Sequence, residues 1–316
     1  MKYMTVLEAS KRWGVSDRRV RLLCSQGRIR GIIQQGRRYL IPDGTEKPVD
    51  ERIKRVRHNN DAKHYNDFTR IDFLKAMLTD HPQQAQSAKD DLTGGFMVDF
   101  IYSNNALEGN SLSRNEVDQV LAGKVIPDHP LKEHLQVIGV KDAWLYVLEC
   151  VEDKKPLSQN VIRTIHSLVL IDDAQNKGKY RKVAVKIQGA ESSPVFLELM
   201  EPRVNDLLNN NTQRKKVIHP VERIARFHLE FAAIHPFSEG NNRVARLLLN
   251  LELMQNGYPP IFIKKEEEKD YANALEEYFD HHQPQAMVSL IRDHLEDSLE
   301  RTLAANRRKG KKNQTN

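Results

Sequence analysis

Two amphipathic stripes separated by a nine-residue connection constrain this chain more than anything else in it. Across residues 224–258, Ile224, Phe227, His228 and Phe231 fall on one helical face, and Val244, Leu247, Leu248 and Leu251 on another. Between them stands HPFSEGNNR, residues 235–243. His235 and Pro236 are expected to end the first helix. Gly240 permits a tight turn, after which the backbone amides of Asn241 and Asn242 open the second helix. A helix start of that kind holds anions. Arg243 and Arg246 lie three residues apart and share a side of the second helix, off its leucine stripe, so two guanidinium groups can flank the anion.

Several amides, two arginines and one carboxylate, Glu239, together suit polyphosphate, with Glu239 as a ligand for a Mg²⁺ that bridges phosphate oxygens. His235 is the only nearby side chain whose ordinary pKa is near neutrality, which suits it to take the proton of an attacking hydroxyl. Each of these residues has a plainer use when taken singly, as a helix cap or a solvated charge. Their coincidence in so short a stretch points to a site.

The segment resembles the Fic family, whose signature HPFx(D/E)GNGRxxR is matched at His235, Pro236, Phe237, Glu239, Gly240, Asn241, Arg243 and Arg246. The resemblance covers most of residues 65–300, through FAAIHPF and ARLLLNLELMQNGYPPI. It implies a mainly α fold, in which an α-helical Fic domain carries a small β-hairpin flap. It also implies an enzyme, a protein adenylyltransferase that moves AMP from ATP, with Mg²⁺, onto a Tyr, Thr or Ser hydroxyl of a target protein. His235 would be the general base and Glu239 the Mg²⁺ ligand. Asn241, with the amides around Gly240 and Asn242, would form the α-phosphate anion hole, and Arg243 and Arg246 would hold the outer phosphates. A hairpin is expected between residues 177 and 197, from VAVKIQ, the turn-prone GAESSP and VFL. In the family such a hairpin docks the target as an added strand, here near residues 183–190. Homodimerisation is expected from similar proteins. Position 242 departs from the pattern, since Asn stands where AMP-transferring members have Gly and the related Doc kinases have Lys. A Cβ there crowds the phosphates, so another nucleotide, another orientation, or binding without transfer stay open beside AMP.

Upstream, SNNALEGN at residues 103–110 resembles the inhibitory motif (S/T)xxxE(G/N) found before the catalytic core of many Fic proteins. Counting back four from Glu108 reaches Asn104 rather than Ser or Thr, although Ser103 is adjacent. The resemblance implies that Glu108 pairs with Arg246 where the γ-phosphate would lie and so lowers basal activity, or that it orients water for removing AMP from a modified target. The plainer reading is that Glu108 ends a helix and contacts backbone. Ser113 and Glu116 have capping-box spacing and are expected to start the next helix.

Elsewhere the chain reads as successive helices: Phe68, Ile71, Leu74, Met77 and Leu78, then Val137, Val140, Trp144, Val147, Leu148 and Val151, recur at helical spacing. Residues 1–45 read differently. Thr5 can cap a helix through Trp13, Ser16 a second helix with Val20, Leu23 and Cys24 on one face, and residues 29–41 suggest a hairpin with a turn at Gln35 and Gly36. This resembles the excisionase and MerR-like winged helix-turn-helix family and implies DNA binding through Arg18, Arg19, Arg21, Arg37 and Arg38. A small basic domain that binds protein, or nothing, is the alternative. The charge agrees with a basic first domain, because residues 1–60 carry 15 Lys and Arg against 6 Asp and Glu, leaving the remainder negative within a total of +6. Residues 46–64 read as a linker, 65–304 as the helical domain, and 305–316 as a basic disordered tail.

Cys24 and Cys150 stand far apart and suit buried thiols in a reducing compartment; neither a disulfide nor a zinc knuckle is expected. His219, His281 and His282 lack metal-ligand spacing. No apolar run is long enough for a membrane span and no secretory leader is visible, so a cytoplasmic protein is expected. The rival to the transferase is a DNA-binding regulator whose helical domain binds nucleotide without transferring it.

Overall fold

The computed structural model describes residues 3–13, 20, 21, 23, 24, 29, 32–35, 38–45, 66–79, 94–183, 185 and 200–312. It divides into two compact units, Met1–Lys63 and His64–Asn316.

In the first unit, strand β1 (Tyr3–Thr5) leads into helix α1 (Val6–Trp13), and β2 (Ile33–Gln35) and β3 (Arg38–Pro42) complete an antiparallel sheet in the order β1-β3-β2. Thr5 and Glu8 start α1 reciprocally: the Thr5 N–H donates to Glu8 Oε2 at 2.7 Å and the Glu8 N–H to Thr5 Oγ1 at 3.3 Å. The sequence suggests only a two-stranded hairpin here. The structure adds β1 as a third strand, because Met4 pairs with Ile41 and both bury their side chains. Val20, Leu23 and Cys24 are buried with Ala9, Trp13 and Ile29 in this unit's own core. Arg18, Arg19 and Arg37 lie outside the described residues; Arg21 is exposed and Arg38 stands on β3.

Among its described residues, the regular elements of the second unit are all helices. Helix α2 (Thr69–Thr79) is followed by α3 (Gly95–Ala106), α4 (Arg114–Leu121), α5 (Leu131–Glu152) and α6 (Gln159–Val169). After residues outside the description come α7 (Met200–Arg214), α8 (Pro220–Ile234), α9 (Asn241–Gln255), a 3₁₀ turn (Lys265–Glu267), α10 (Glu268–His281) and α11 (Gln285–Lys312). Two apolar clusters share α8 and α9. One gathers Phe100, Trp144, Ile165, Phe227, Phe237 and Leu248; the other gathers Ile71, Ile224, Leu249, Tyr271, Ile291 and Leu299. Helix α9 is buried all round from Arg243 to Leu253, with α5, α6 and α8 packed against it.

The Ser113–Glu116 capping box forms as the sequence predicts, with the Ser113 N–H on Glu116 Oε2 at 2.7 Å and the Glu116 N–H on Ser113 Oγ at 3.3 Å. Helix α11 runs into the stretch expected to be a tail, with helical backbone through Lys312, and residues 313–316 lie outside the described residues. The hairpin expected around residues 183–190 lies, apart from 183 and 185, outside the described residues, as does the whole linker at 46–64. Both cysteines are buried and free. Among the described residues no helix is long and apolar enough to cross a membrane.

Candidate active site

The connection between α8 and α9 is held by its main chain. His235 ends α8 in the left-handed conformation, φ 49° and ψ 59°, with its N–H on the Phe231 carbonyl at 3.1 Å. Asn241 folds its side chain back onto the loop: Oδ1 accepts from the Phe237 N–H and Nδ2 donates to the Phe237 carbonyl, both at 2.9 Å. Of the groups expected in the anion hole, the Asn241 side chain is thus spent on shaping the loop. The side chain is buried and both its polar ends are committed, so only the backbone N–H faces the helix start. Gly240, at φ 77°, is the N-cap of α9 and brings no side chain to cap the first-turn amides.

Arg243 and Arg246 are only 3% exposed, although the sequence places them off the leucine stripe. Arg246 is held from three sides: its Nε donates to Asn104 Oδ1 at 2.8 Å, and its Nη2 to the Asn104 carbonyl at 2.9 Å and to Glu108 Oε1 at 2.8 Å. Burial works against the charge of Arg246, and the Glu108 carboxylate and the Tyr271 hydroxyl together outweigh it, so its pKa is raised. Glu108 sits in the turn that follows α3, before Gly109 at φ 86°. Arg243 reaches Glu239 at 3.4 Å, while its Nε and Nη1, and the Nη1 of Arg246, are buried with no hydrogen-bond partner in the described protein. Buried guanidinium groups with donors to spare beside uncapped amides suit a phosphate chain.

His235 is half-buried beside these donors. Burial lowers its pKa, and the positive charge of Arg181 adds to this against the opposing pull of the Ala232 carbonyl and Glu108. Its imidazole is thus neutral at physiological pH. Glu239 is 49% exposed and, besides Arg243, meets Lys132 Nζ at 3.3 Å. Asn242 is half-buried at the second position of α9.

Four neighbours escape the sequence reading. Asn104, which the inhibitory pattern registers as a mismatch, supplies Arg246 with two acceptors. Lys132 comes from the start of α5. Arg181 donates Nε to the His235 carbonyl at 2.7 Å and its own N–H to the Pro236 carbonyl at 2.9 Å. His166, on the apolar face of α6, touches Glu239 and stacks on Phe237. The only sequence signal for His166 is a histidine among Val161, Ile162, Ile165 and Val169.

Residues 156–253 match the Fic/DOC family. The match takes in α6, α8, the loop and most of α9. The protein adenylyltransferase fic-1 of Caenorhabditis elegans is 34% identical over 182 residues, which are 56% of this chain and 35% of that one. The protein adenylyltransferase Fic of Nematostella vectensis is 32% identical over 179 residues, 55% of this chain and 42% of that one. The chain thus spans less than half the length of these curated relatives. A solved structure of Fic-1 from C. elegans superposes with a TM-score of 0.67 at 26% identity, over 82% of this chain and 76% of that one. The mainly helical Fic fold expected from the signature agrees with these likenesses.

Proposed function

We propose that this chain transfers AMP from ATP to a Tyr, Thr or Ser hydroxyl of a target protein, and that Glu108 restrains it. The ion pair between Glu108 and the buried Arg246 carries this reading, because it sets a carboxylate where a phosphate would otherwise take the same donors. The likeness to proteins named adenylyltransferases, which covers this stretch, supports the nucleotide chemistry.

In this reading the first-turn amides of α9 receive the α-phosphate, and Arg243 and Arg246 take the outer phosphates through the donors that have no protein partner. The hydroxyl oxygen attacks the α-phosphorus, the bond to the β-phosphate breaks, pyrophosphate leaves, and neutral His235 takes the hydroxyl proton. The residues present fit Mg²⁺ in one way. Among the described residues no three His, Cys, Asp or Glu side chains converge, so Glu239 would be a lone carboxylate ligand with phosphate oxygens and water completing the shell. Bound there, Mg²⁺ neutralises phosphate charge.

Mass spectrometry of the protein, E108G and E108G/H235A after incubation with ATP and Mg²⁺ tests the reading. An AMP adduct, on the protein or on proteins of an added lysate, is expected mainly with E108G and not with the double variant. No adduct with any of them, while nucleotide still binds, would favour the second reading, a DNA-binding regulator in which Asn242 leaves nucleotide bound and untransferred. The basic first sixty residues favour that reading, and its mark is salt-sensitive binding to a selected DNA sequence.

A further inference from the structure

His166 is fully buried, in the middle of the apolar face of α6, where a Leu or Phe would fill the space without hiding two polar nitrogens. Both nitrogens are occupied by main chain. The Gly178 N–H donates to Nδ1 at 2.9 Å, so Nδ1 is the acceptor and Nε2 carries the proton. Nε2 then donates to the Glu239 carbonyl at 3.1 Å. The ring stacks on Phe237 with centroids 3.7 Å apart and planes 3° from parallel. Its Cδ2 lies 3.9 Å from where a Cβ on Gly240 would stand.

One ring therefore fixes the loop at two points, Phe237 through its side chain and Glu239 through its carbonyl, and lines the space beside Gly240. Arg181 holds the two preceding carbonyls, those of His235 and Pro236. Arg181 and the Gly178 amide that orients His166 belong to the same short stretch, so the base and the phosphate end of the loop are referenced to one support. We propose that His166 is a positioning residue for transfer, which sets the Glu239 main chain and the start of α9 relative to His235 through its two nitrogens rather than its volume. This inference rests on the AMP-transfer reading, and concerns placement of the loop within it.

The test compares E108G with E108G/H166F and E108G/H166Q in the full-length chain. Phe keeps the stack and the volume and loses both hydrogen bonds; Gln can present one donor and one acceptor. Steady-state kinetics give kcat and KM for ATP, and hydrogen exchange gives the protection of amides 237–243. In H166F, kcat is expected to fall on the order of 10²-fold with KM changed less than about threefold, since misplacing a catalytic loop affects the transition state first. Amide exchange at 237–243 should rise in step, and H166Q should recover both in part.

A rate that falls while the loop amides keep their protection would overturn the proposal, as would an H166F enzyme within threefold of its parent. Should H166F not fold, H166Q decides by the same criterion: rate and protection moving together support it, and moving apart refute it. If E108G itself transfers nothing, the transfer reading fails on its own. Exchange at 237–243 then still judges the placement, with equal protection in all three proteins counting against it.

Discussion

At the scale of single residues, one buried guanidinium gathers the partners that matter most to the site. Arg246 answers Glu108 and Asn104 together, so removing the carboxylate should release donors for phosphate without dismantling the site. A hydrogen bond between charged groups contributes roughly 1.5–3 kcal/mol, so E108G should raise AMP incorporation about 10- to 100-fold. Initial rates with labelled ATP measure this, and an unchanged rate would remove Glu108 from regulation. His235 gives a second expectation. Its pKa is lowered in the folded protein, so the basic form persists as pH falls through the ordinary histidine value near 6.5. The acid limb of kcat/KM for E108G should therefore lie below that value; a limb above it contradicts the environment described for His235. The motif residues were legible in the sequence because their chemistry is compressed between positions 235 and 246. His166, Arg181 and Lys132 were not, because each reaches the loop from a distant element and no local pattern marks a contact made across dozens of residues. Asn104 was read as a defect in a pattern, while its carbonyl and side chain do for Arg246 what spacing alone does not reveal.

At the scale of elements, the approach of α5 to α6 is set by an absent side chain. A Cβ on Gly139 would stand 2.6 Å from the Leu168 carbonyl oxygen and 2.9 Å from that of Val169, both main-chain atoms that cannot rotate away. G139A should cost about 1–3 kcal/mol, read as a lower urea midpoint at unchanged slope. The strain should also reach the loop, because Val169 Cγ1 is 3.5 Å from the Cβ position at Gly240. A stability within error of the parent would show that the two helices separate freely. Capping explains which element boundaries were readable: Thr5, and Ser113 with Glu116, announce helix starts by residue type and spacing, and both caps form, Thr5 with Glu8 as a partner the sequence reading did not name. Strand β1 was not readable, since three residues are too few to show a period of two.

At the scale of the whole molecule, the second unit joins α8, α9 and α10 through another buried histidine. His228 donates Nδ1–H to the Ala245 carbonyl at 3.2 Å and accepts from the Tyr271 hydroxyl at Nε2, at 2.9 Å. Burial pushes its pKa down to about 4, with the charge of Arg246 acting in the same direction and the Ala245 carbonyl opposing. The unfolded chain binds this proton near pH 6.5 and the folded chain only near 4, so stability is full above 6.5 and falls as pH drops through that window. The loss attributable to His228 is on the order of 3 kcal/mol by pH 4. Urea titrations at pH 7.5 and 4.5 should show it together with a like share from His166, which burial also pushes down to about 4, and H228Q should remove only its own part; an undiminished difference in the variant would assign the loss to other groups. The main-chain support of the loop bears on how such a protein changes its cargo. Loop shape is secured by Arg181, His166 and Asn241 acting on carbonyls and amides, and among the described residues no side-chain hydrogen bond is made by Ser238 or Asn242. Those two positions can therefore be exchanged without refolding the loop, and on the AMP-transfer proposal libraries at 238 and 242 are the direct route to a different nucleotide.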